Sequence, residues 1–215
     1  MIRIVIADDH TIVREGLKQL LTATGEFVVV AEAVDGHEVL AKVRNTDFDV
    51  LVLDMSMPGK SGMELIRQVK SEKPKLRIVV LTMHQENQYA VRAIKAGASG
   101  YLTKDSASAQ LAHAIRKVAG GGAFISAEVA EQLAHLAQGE GETEPHRSLS
   151  DREFQVLKLL AAGTSLTAIG DELHLSVKTI STHKSRILEK LGLNNQTELI
   201  RYAIAHGLVE PPDRT

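Results

Sequence analysis

The sequence predicts an α/β domain with a doubly wound, five-stranded parallel sheet, followed by a second, all-α domain built on a helix-turn-helix pair. Three observations carry this. Short β-branched runs alternate with helical patterns over the first 120 residues. An acidic stretch poor in apolar residues interrupts the chain near residue 140. Only helical periodicity follows it. The length, 215 residues, exceeds one domain of about 100–200 residues and falls short of three.

The β-branched runs are Ile2–Ala7, Phe27–Glu32, Asp49–Leu53, Arg77–Thr82 and Gly100–Leu102. They are apolar nearly throughout, as strands covered on both faces must be. Between them apolar residues recur at helical spacing. Ile12, Leu17, Leu20 and Leu21 mark one helix, Val39, Leu40 and Val43 the next, and Met63, Leu65, Ile66 and Val69 a third. Ala90, Val91, Ala93 and Ile94 mark a fourth, and Leu111, Ala114, Ile115 and Val118 a fifth. Strand–helix alternation of this kind gives a doubly wound sheet. Breakers fall between elements, at Pro58-Gly59, Lys73-Pro74 and Ala96-Gly97. Gly120-Gly121-Gly122 follows a helix and lacks the Gly-Lys-Ser/Thr of a phosphate loop, so it reads as a helix stop or hinge.

Ser126–Gln138 is a short amphipathic helix with Val129, Leu133 and Leu136 on one face. Gly139–Ser148 has no apolar face and reads as a flexible tether. The expected organisation is therefore a first domain over 1–122, a linker with a short helix over 123–148, and a helical domain over 149–215. Its helices are Asp151–Ala162 with Ser150 as N-cap, Ser165–Leu173, Val177–Leu191 capped by Ser176, and Thr197–His206. Gly163, Gly192 and Gly207 end three of them.

Composition excludes several classes. There is no cysteine, hence no disulfide scaffold, thiolate zinc site or cysteine nucleophile. No apolar run approaches the ~20 residues that span a bilayer. Acids arrive at Asp8-Asp9, before any long apolar region, so the start is not read as a secretory signal. A cytoplasmic protein is expected. The formal net charge is −2 and aromatics are 3% without tryptophan, which argues against stacking on single-stranded nucleic acid.

In an open parallel sheet, ligands bind beyond the C-terminal strand ends, where strand order reverses. The residues at those ends are Asp8 and Asp9, Asp54, Thr82 and Lys104. Bare carboxylates about 4 Å apart repel by roughly 4 kcal/mol at an effective dielectric of 20. Such a cluster must hold protons or a cation, and oxygen ligation completed by water and phosphate is magnesium chemistry. A carboxylate beside that ion can attack a phosphoryl donor. Asp54 is the nucleophile candidate, because it follows the buried run Val50–Leu53 at the sheet rim. Lys104 then pairs with phosphate and the Thr82 hydroxyl bonds a phosphate oxygen.

The segments IVIADDH (4–10), VLVLDMSMPGKSG (50–62), VVLTMH (79–84) and AGASGYLTKD (96–105) make Met1–Gly120 resemble a response-regulator receiver domain, which is flavodoxin-like in fold. The resemblance implies Asp54 as phosphoacceptor and Asp8 and Asp9 as magnesium acids, with the Ser56 carbonyl as a further ligand. It makes Thr82 the switch hydroxyl, Lys104 the phosphate-pairing cation and Tyr101 the coupled aromatic. Ser56 and His84 stand where side chains tune the access of hydrolytic water.

In the helix Val177–Leu191, Val177, Ile180, Ile187, Leu188 and Leu191 form a core stripe. Lys178, Thr179, Ser181, Thr182, Lys184, Ser185 and Arg186 lie largely off it. Small hydroxyls among cations suit a major groove: hydroxyls approach base edges while Lys and Arg reach phosphates. The alternative is a solvated amphipathic face. LSDREFQVLKLLAAG (149–163), LSVKTISTHKSRILEKLGL (175–193) and QTEL (196–199) make Leu149–Leu208 similar to the helix-turn-helix domain of NarL/FixJ (LuxR-type) regulators. By position Ser181, Thr182 and Ser185 then contact bases, and Lys178, Thr179, Lys184 and Arg186 contact phosphates. His183 fits the family's frequent histidine, as a packed residue or a contact. The family's Ser-Asn-Lys-Glu-Ile-Ala is here Ser165-Leu166-Thr167-Ala168-Ile169-Gly170, and a glycine inside a helix costs about 1 kcal/mol relative to alanine. The last helix offers Leu199, Ile200, Tyr202, Ala203 and Ile204 for a homodimer.

Together the resemblances imply a regulator of transcription. A sensor histidine kinase phosphorylates Asp54 with magnesium, and the new charge promotes dimerisation and binding of double-stranded DNA at a pseudo-palindromic site. The only chemistry is the chain's own phosphoryl transfer; no membrane partner is expected. Two rivals remain. A magnesium-dependent phosphohydrolase would also use Asp54, but position 56, where such enzymes often place a general acid, is serine. A phospho-gated protein-interaction module would use the helical domain without DNA.

Overall fold

The computed structural model describes residues 1–57, 62–83, 87–137 and 145–209, which fall into two compact units divided at Gln138/Gly139. The breaker Pro58-Gly59, His84 and the tether residues 139–144 lie outside the described residues.

The first unit alternates strand and helix: β1 (Ile2–Ala7), α1 (Thr11–Thr22), β2 (Phe27–Ala33), α2 (Gly36–Asn45), β3 (Val50–Asp54), α3 (Gly62–Glu72), β4 (Arg77–Thr82), α4 (Asn87–Ala96), β5 (Gly100–Thr103) and α5 (Lys104–Ala119). The strands are parallel in the order β2-β1-β3-β4-β5. The chain thus steps from β1 to one side and from β2 onward to the other. Right-handed crossovers in opposite directions put α1 and α5 on one face and α2, α3 and α4 on the other. Ile4, Ile6, Val50, Val52, Val79 and Leu81 point toward Leu17, Leu21, Leu111 and Ile115 of α1 and α5. The alternate residues Val5, Leu51, Leu53, Ile78 and Val80 are also fully buried, as the period of two requires for a sheet covered on both faces. Each such side chain stabilises the unit by about 1.5–3 kcal/mol. Loops after β1 and β3 diverge where the order reverses, and that crevice is where Asp8 and Asp54 stand.

Two differences from the expected boundaries concern residues after α5. The segment at Phe124 pairs with β5: Tyr101 N–H donates to Phe124 O at 2.9 Å, and Phe124 N–H to Ser99 O at 2.9 Å. The short helix α6 (Ala127–Ala137) then packs on α4. Val129 is buried with Ala90 and Val91, and Tyr101, Ile125, Leu133 and Leu136 close around them. The sequence places this helix in a linker; its apolar face finds a partner on the first unit.

The second unit begins earlier than expected, with a short 3-10 turn at Pro145–Ser148. His146 is buried there, its ring edge-on to Tyr202 and His206 and its Nδ1 3.0 Å from the Tyr202 hydroxyl. The ring packing explains why these residues are not part of a tether. α7 (Asp151–Ala161), α8 (Leu166–Glu172), α9 (Val177–Leu191) and α10 (Gln196–Ala205) follow. Phe154, Leu157, Leu160, Ile169, Ile180, Ile187 and Leu199 form their core.

The caps are as expected. Ser150 and Glu153 form a reciprocal capping box at α7, and Ser176 caps α9 by accepting from Thr179 N–H. Gly192 closes α9 in the left-handed region, φ 65°. Between α8 and α9 the turn is tight. His174 has φ 53°, and Leu175 N–H donates to Gly170 O at 2.8 Å. A Cβ on Gly170 would lie 2.8 Å from the Leu175 carbonyl oxygen. The glycine that looks costly in a helix is the residue that lets the turn close on α8.

Candidate functional site

Asp8 and Asp54 are each 1% exposed at the C-terminal rim of β1 and β3. Local structure fixes both. Asp54 ends β3, and its Oδ1 accepts from Ser56 N–H at 3.2 Å. Asp8 Oδ1 accepts from His10 N–H at 2.8 Å, and Arg14, one turn into α1, donates to the Asp8 carbonyl at 2.8 Å. Lys104, the first residue of α5, brings Nζ to 2.8 Å from Asp8 Oδ2 and 2.9 Å from Asp54 Oδ2. Thr103 caps α5 through Ser106 N–H, which holds Lys104 at the pocket.

The electrostatics follow from burial. Loss of solvent pushes the Asp54 carboxyl above its ordinary pKa, against the hydrogen bond and charge of Lys104; the charge of Asp8 adds to the rise. Burial also disfavours the Lys104 ammonium, but hydrogen bonds to Asp8 and Asp54 outweigh it, and its pKa is raised. One ammonium thus serves two buried carboxylates. Asp8 Oδ2 is buried and takes the Lys104 ammonium at 2.8 Å, whereas the buried Asp9 Oδ1 has the His10 ring beside it at 2.9 Å without an aligned hydrogen bond. Oxygen atoms in that state fit a cation. Donor atoms of Asp8, Asp9, His10 and Asp54 lie within 4.8 Å of one another, a group that can hold a metal ion.

Thr82 ends β4, buried, and Tyr101 is half-buried on β5. Ser56 is exposed at the rim beside Asp54. The fold therefore assembles Asp8, Asp9, Asp54, Ser56, Thr82 and Lys104 at one sheet end from separate strand ends. Sequence reasoning passed over His10 and Arg14. The signal for the first was a histidine directly after two acids at a strand end.

The helical unit carries the second set on α9. At about 100° per residue, Lys178, Ser181, Thr182 and Ser185 share one face, with Thr179 and Arg186 at its margin. Lys178, Thr182, Ser185 and Arg186 are exposed; Thr179 and Ser181 are half-buried. Thr182 and Ser185 hydroxyls donate to the carbonyls of Lys178 and Ser181, one turn back. Lys184 departs from expectation: it lies toward the core stripe and donates to Gln196 Oε1 of α10 at 2.7 Å. The 3.6-residue period puts it nearer Ile180 and Ile187 than the exposed face. His183 is half-buried; burial lowers its pKa, and the charges of Arg152 and Arg186 add to this. Glu153, buried, takes Lys190 Nζ at 2.7 Å and fastens α7 to α9; burial opposes its charge, but Lys190 and the Ser150 cap hold its pKa below the ordinary value.

An acid pocket at the switch point of a parallel sheet, joined in one chain to a helix-turn-helix, defines a signal-receiving regulator. The family model for the response regulator receiver domain matches residues 4–116, and that for bacterial regulatory proteins of the luxR family matches residues 147–203. The chain is 36% identical over 211 residues to response regulator GacA of Pseudomonas viridiflava, covering 98% of this chain and 99% of that one. It is 38% identical over 210 residues to response regulator UvrY of Escherichia coli K12, covering 97% and 96%. Among solved structures, RcsB of Salmonella enterica serovar Typhimurium bound to promoter rprA with the phosphomimetic BeF3- matches with TM-score 0.62 and 32% identity, over 94% of this chain and 97% of that one. The chain belongs to the response regulators that carry a LuxR-type DNA-binding domain. The family is one of transcription regulators, not of catalytic enzymes. Among the described residues no helix is long and apolar enough to cross a membrane.

Proposed function

We propose that residues 1–122 receive a phosphoryl group on Asp54 from a sensor histidine kinase, and that residues 149–215 answer by binding DNA. Asp8, Asp9, Asp54 and the Ser56 carbonyl hold magnesium, which when bound offsets negative charge on the transferring oxygens. An Asp54 carboxylate oxygen forms a bond to phosphorus while the bond from phosphorus to the kinase's histidine nitrogen breaks, and that nitrogen regains its lone pair. Lys104, already turned toward Asp54, pairs with the phosphoryl oxygens. The Thr82 hydroxyl follows the new charge of about −1.5 to −2, and Tyr101 on the adjacent strand moves with it. The single observation that carries this reading is the Lys104 ammonium between two buried carboxylates at the rim where strand order reverses.

Ser181, Thr182 and Ser185 approach base edges, and Lys178, Thr179 and Arg186 meet phosphates. Lys184 joins them by leaving Gln196. A homodimer through α10 reads a pseudo-palindromic site, and binding weakens as salt rises. The setting is the cytoplasm, where such a kinase presents its phosphohistidine.

The test is selection of fragmented bacterial genomic DNA by the full chain, with and without magnesium and beryllofluoride. Enrichment of an inverted repeat only with the mimic supports the whole reading. Equal enrichment in both removes the phosphorylation gate. The Asp54 assignment fails if Asp54→Ala still gains phosphate from acetyl phosphate at the unaltered rate.

A further inference from the structure

The geometry points to His10 as a metal ligand, making the acid pocket a mixed nitrogen–oxygen site that takes cations such as Co2+ and Ni2+ more tightly than carboxylates alone would. This rests on the reading of that pocket as a metal site and adds to it the donor that sets metal preference.

Among the described residues the imidazole contacts only the two acids. His10 is the N-cap residue of α1, yet its side chain makes no capping hydrogen bond; only its backbone N–H is used, toward Asp8 Oδ1. The ring is instead turned to the acids, with Nδ1 2.9 Å from Asp9 Oδ1 and 3.2 Å from Asp8 Oδ1. An exposed contact of this kind contributes about 0–1 kcal/mol and does not by itself hold the ring there. The neighbouring acceptors are of another kind. Asp8 is 99% buried by side-chain area and its Oδ2 already takes the Lys104 ammonium at 2.8 Å, whereas the buried Asp9 Oδ1 lacks an aligned donor and faces the His10 ring. Octahedral donors about 2.1 Å from one ion stand about 3 Å apart when adjacent and about 4 Å when opposite. The four donor atoms lie within 4.8 Å of one another, so side-chain shifts of a few tenths of an ångström bring them onto one ion.

Chemistry then separates the cations. Magnesium prefers oxygen and gains little from an imidazole, whereas Co2+, Ni2+ and Zn2+ gain much. Removing His10 leaves the three carboxylates, so the loss falls mainly on cations that favour nitrogen. The side chain is 63% exposed, so its removal does not disturb the core.

The experiment uses the full chain and two readouts. Electron spin echo modulation of bound Mn2+ detects a directly coordinated 14N; only signal abolished by Asp54→Asn is counted, because the chain has nine histidines. The unaltered chain shows the 14N coupling, and His10→Ala and His10→Asn lose it while still binding Mn2+. Titration shows His10→Ala weakening Co2+ by about tenfold or more and Mg2+ by less than about twofold. Absence of 14N coupling in the unaltered chain, or equal weakening of Co2+ and Mg2+, overturns the role of His10. If Asp8→Asn and Asp54→Asn both leave Mn2+ affinity unchanged, the metal-pocket reading falls with it.

Discussion

Replacing Lys104 by methionine removes a charge and keeps most of the volume. Its Nζ stands 2.8 Å from Asp8 Oδ2 and 2.9 Å from Asp54 Oδ2, and both acids are 1% exposed. Taking one partner from a buried ion pair costs about 3–5 kcal/mol, because the other charge stays behind. Here two charges stay behind, but each keeps a backbone donor: Ser56 N–H for Asp54 and His10 N–H for Asp8. The lower end, about 3 kcal/mol, is therefore expected at neutral pH with a chelator present. That is a large part of the about 5–15 kcal/mol that holds a domain folded. The deficit has a pH signature. Burial already raises the Asp54 pKa, and loss of the ammonium raises it further. A carboxyl whose folded pKa exceeds its unfolded value favours the folded state at low pH, and that advantage is lost as pH rises through the folded pKa. Acidification must therefore narrow the gap between variant and parent. Added divalent cation narrows it too, because the variant lacks the competing ammonium and binds the ion more tightly than the parent, by about 1.4 kcal/mol for each tenfold difference in affinity. Hydrogen exchange of β3 and α5 peptides in the full chain reads the local stability. Unchanged protection at neutral pH in chelator, or a gap that widens on acidification, would refute the reasoning.

Three further outcomes are expected. Gly170→Ala gains about 1 kcal/mol of helix propensity but drives a Cβ to 2.8 Å from a backbone oxygen; overpacking at about 1–3 kcal/mol wins, and urea unfolding followed by α8 and α9 exchange shows a net loss. Glu153→Gln removes the charge in the capping box and weakens Lys190's bond, costing about 1.5–3 kcal/mol by the same exchange measurement. Because the Glu153 pKa is lowered in the folded protein, that cost is full above the unfolded carboxyl value and vanishes as pH falls through the folded one. Lys178→Ala weakens binding to all DNA sequences alike and reduces the slope against salt by about one, read by fluorescence anisotropy, whereas Ser185→Ala alters preference among sequences with the slope unchanged.

The acid pocket was legible because a parallel sheet delivers every strand end to one rim. Asp8, Asp54 and Thr82 each end a run of buried apolar residues and Lys104 directly follows the short strand β5, so topology alone brought them together. What was not legible depended on reach or on a partner. Lys184 looked exposed by charge, yet its angle on α9 and long stem take it to Gln196. The apolar face of α6 announced burial without naming α4 as the surface it meets. Gly170 looked like a helix defect because its reason, the Leu175 carbonyl, comes from a turn that periodicity does not describe. His146 sat in a polar stretch whose ring contacts with Tyr202 and His206 come from residues over fifty positions away.

The pairing of Phe124 with β5 and the seating of α6 on α4 have a practical corollary for anyone exchanging sensing modules between regulators of this kind. A splice at Gly122 looks natural, since three glycines close α5 there. It would strip the outer edge of β5 of its hydrogen-bonding partner at Phe124 and uncover Ala90 and Val91. Bare strand edges beside fresh apolar surface invite other chains to stick. A hybrid spliced beyond Ala137 carries its own cover across the seam, and its solubility would no longer depend on which donor supplied the output half.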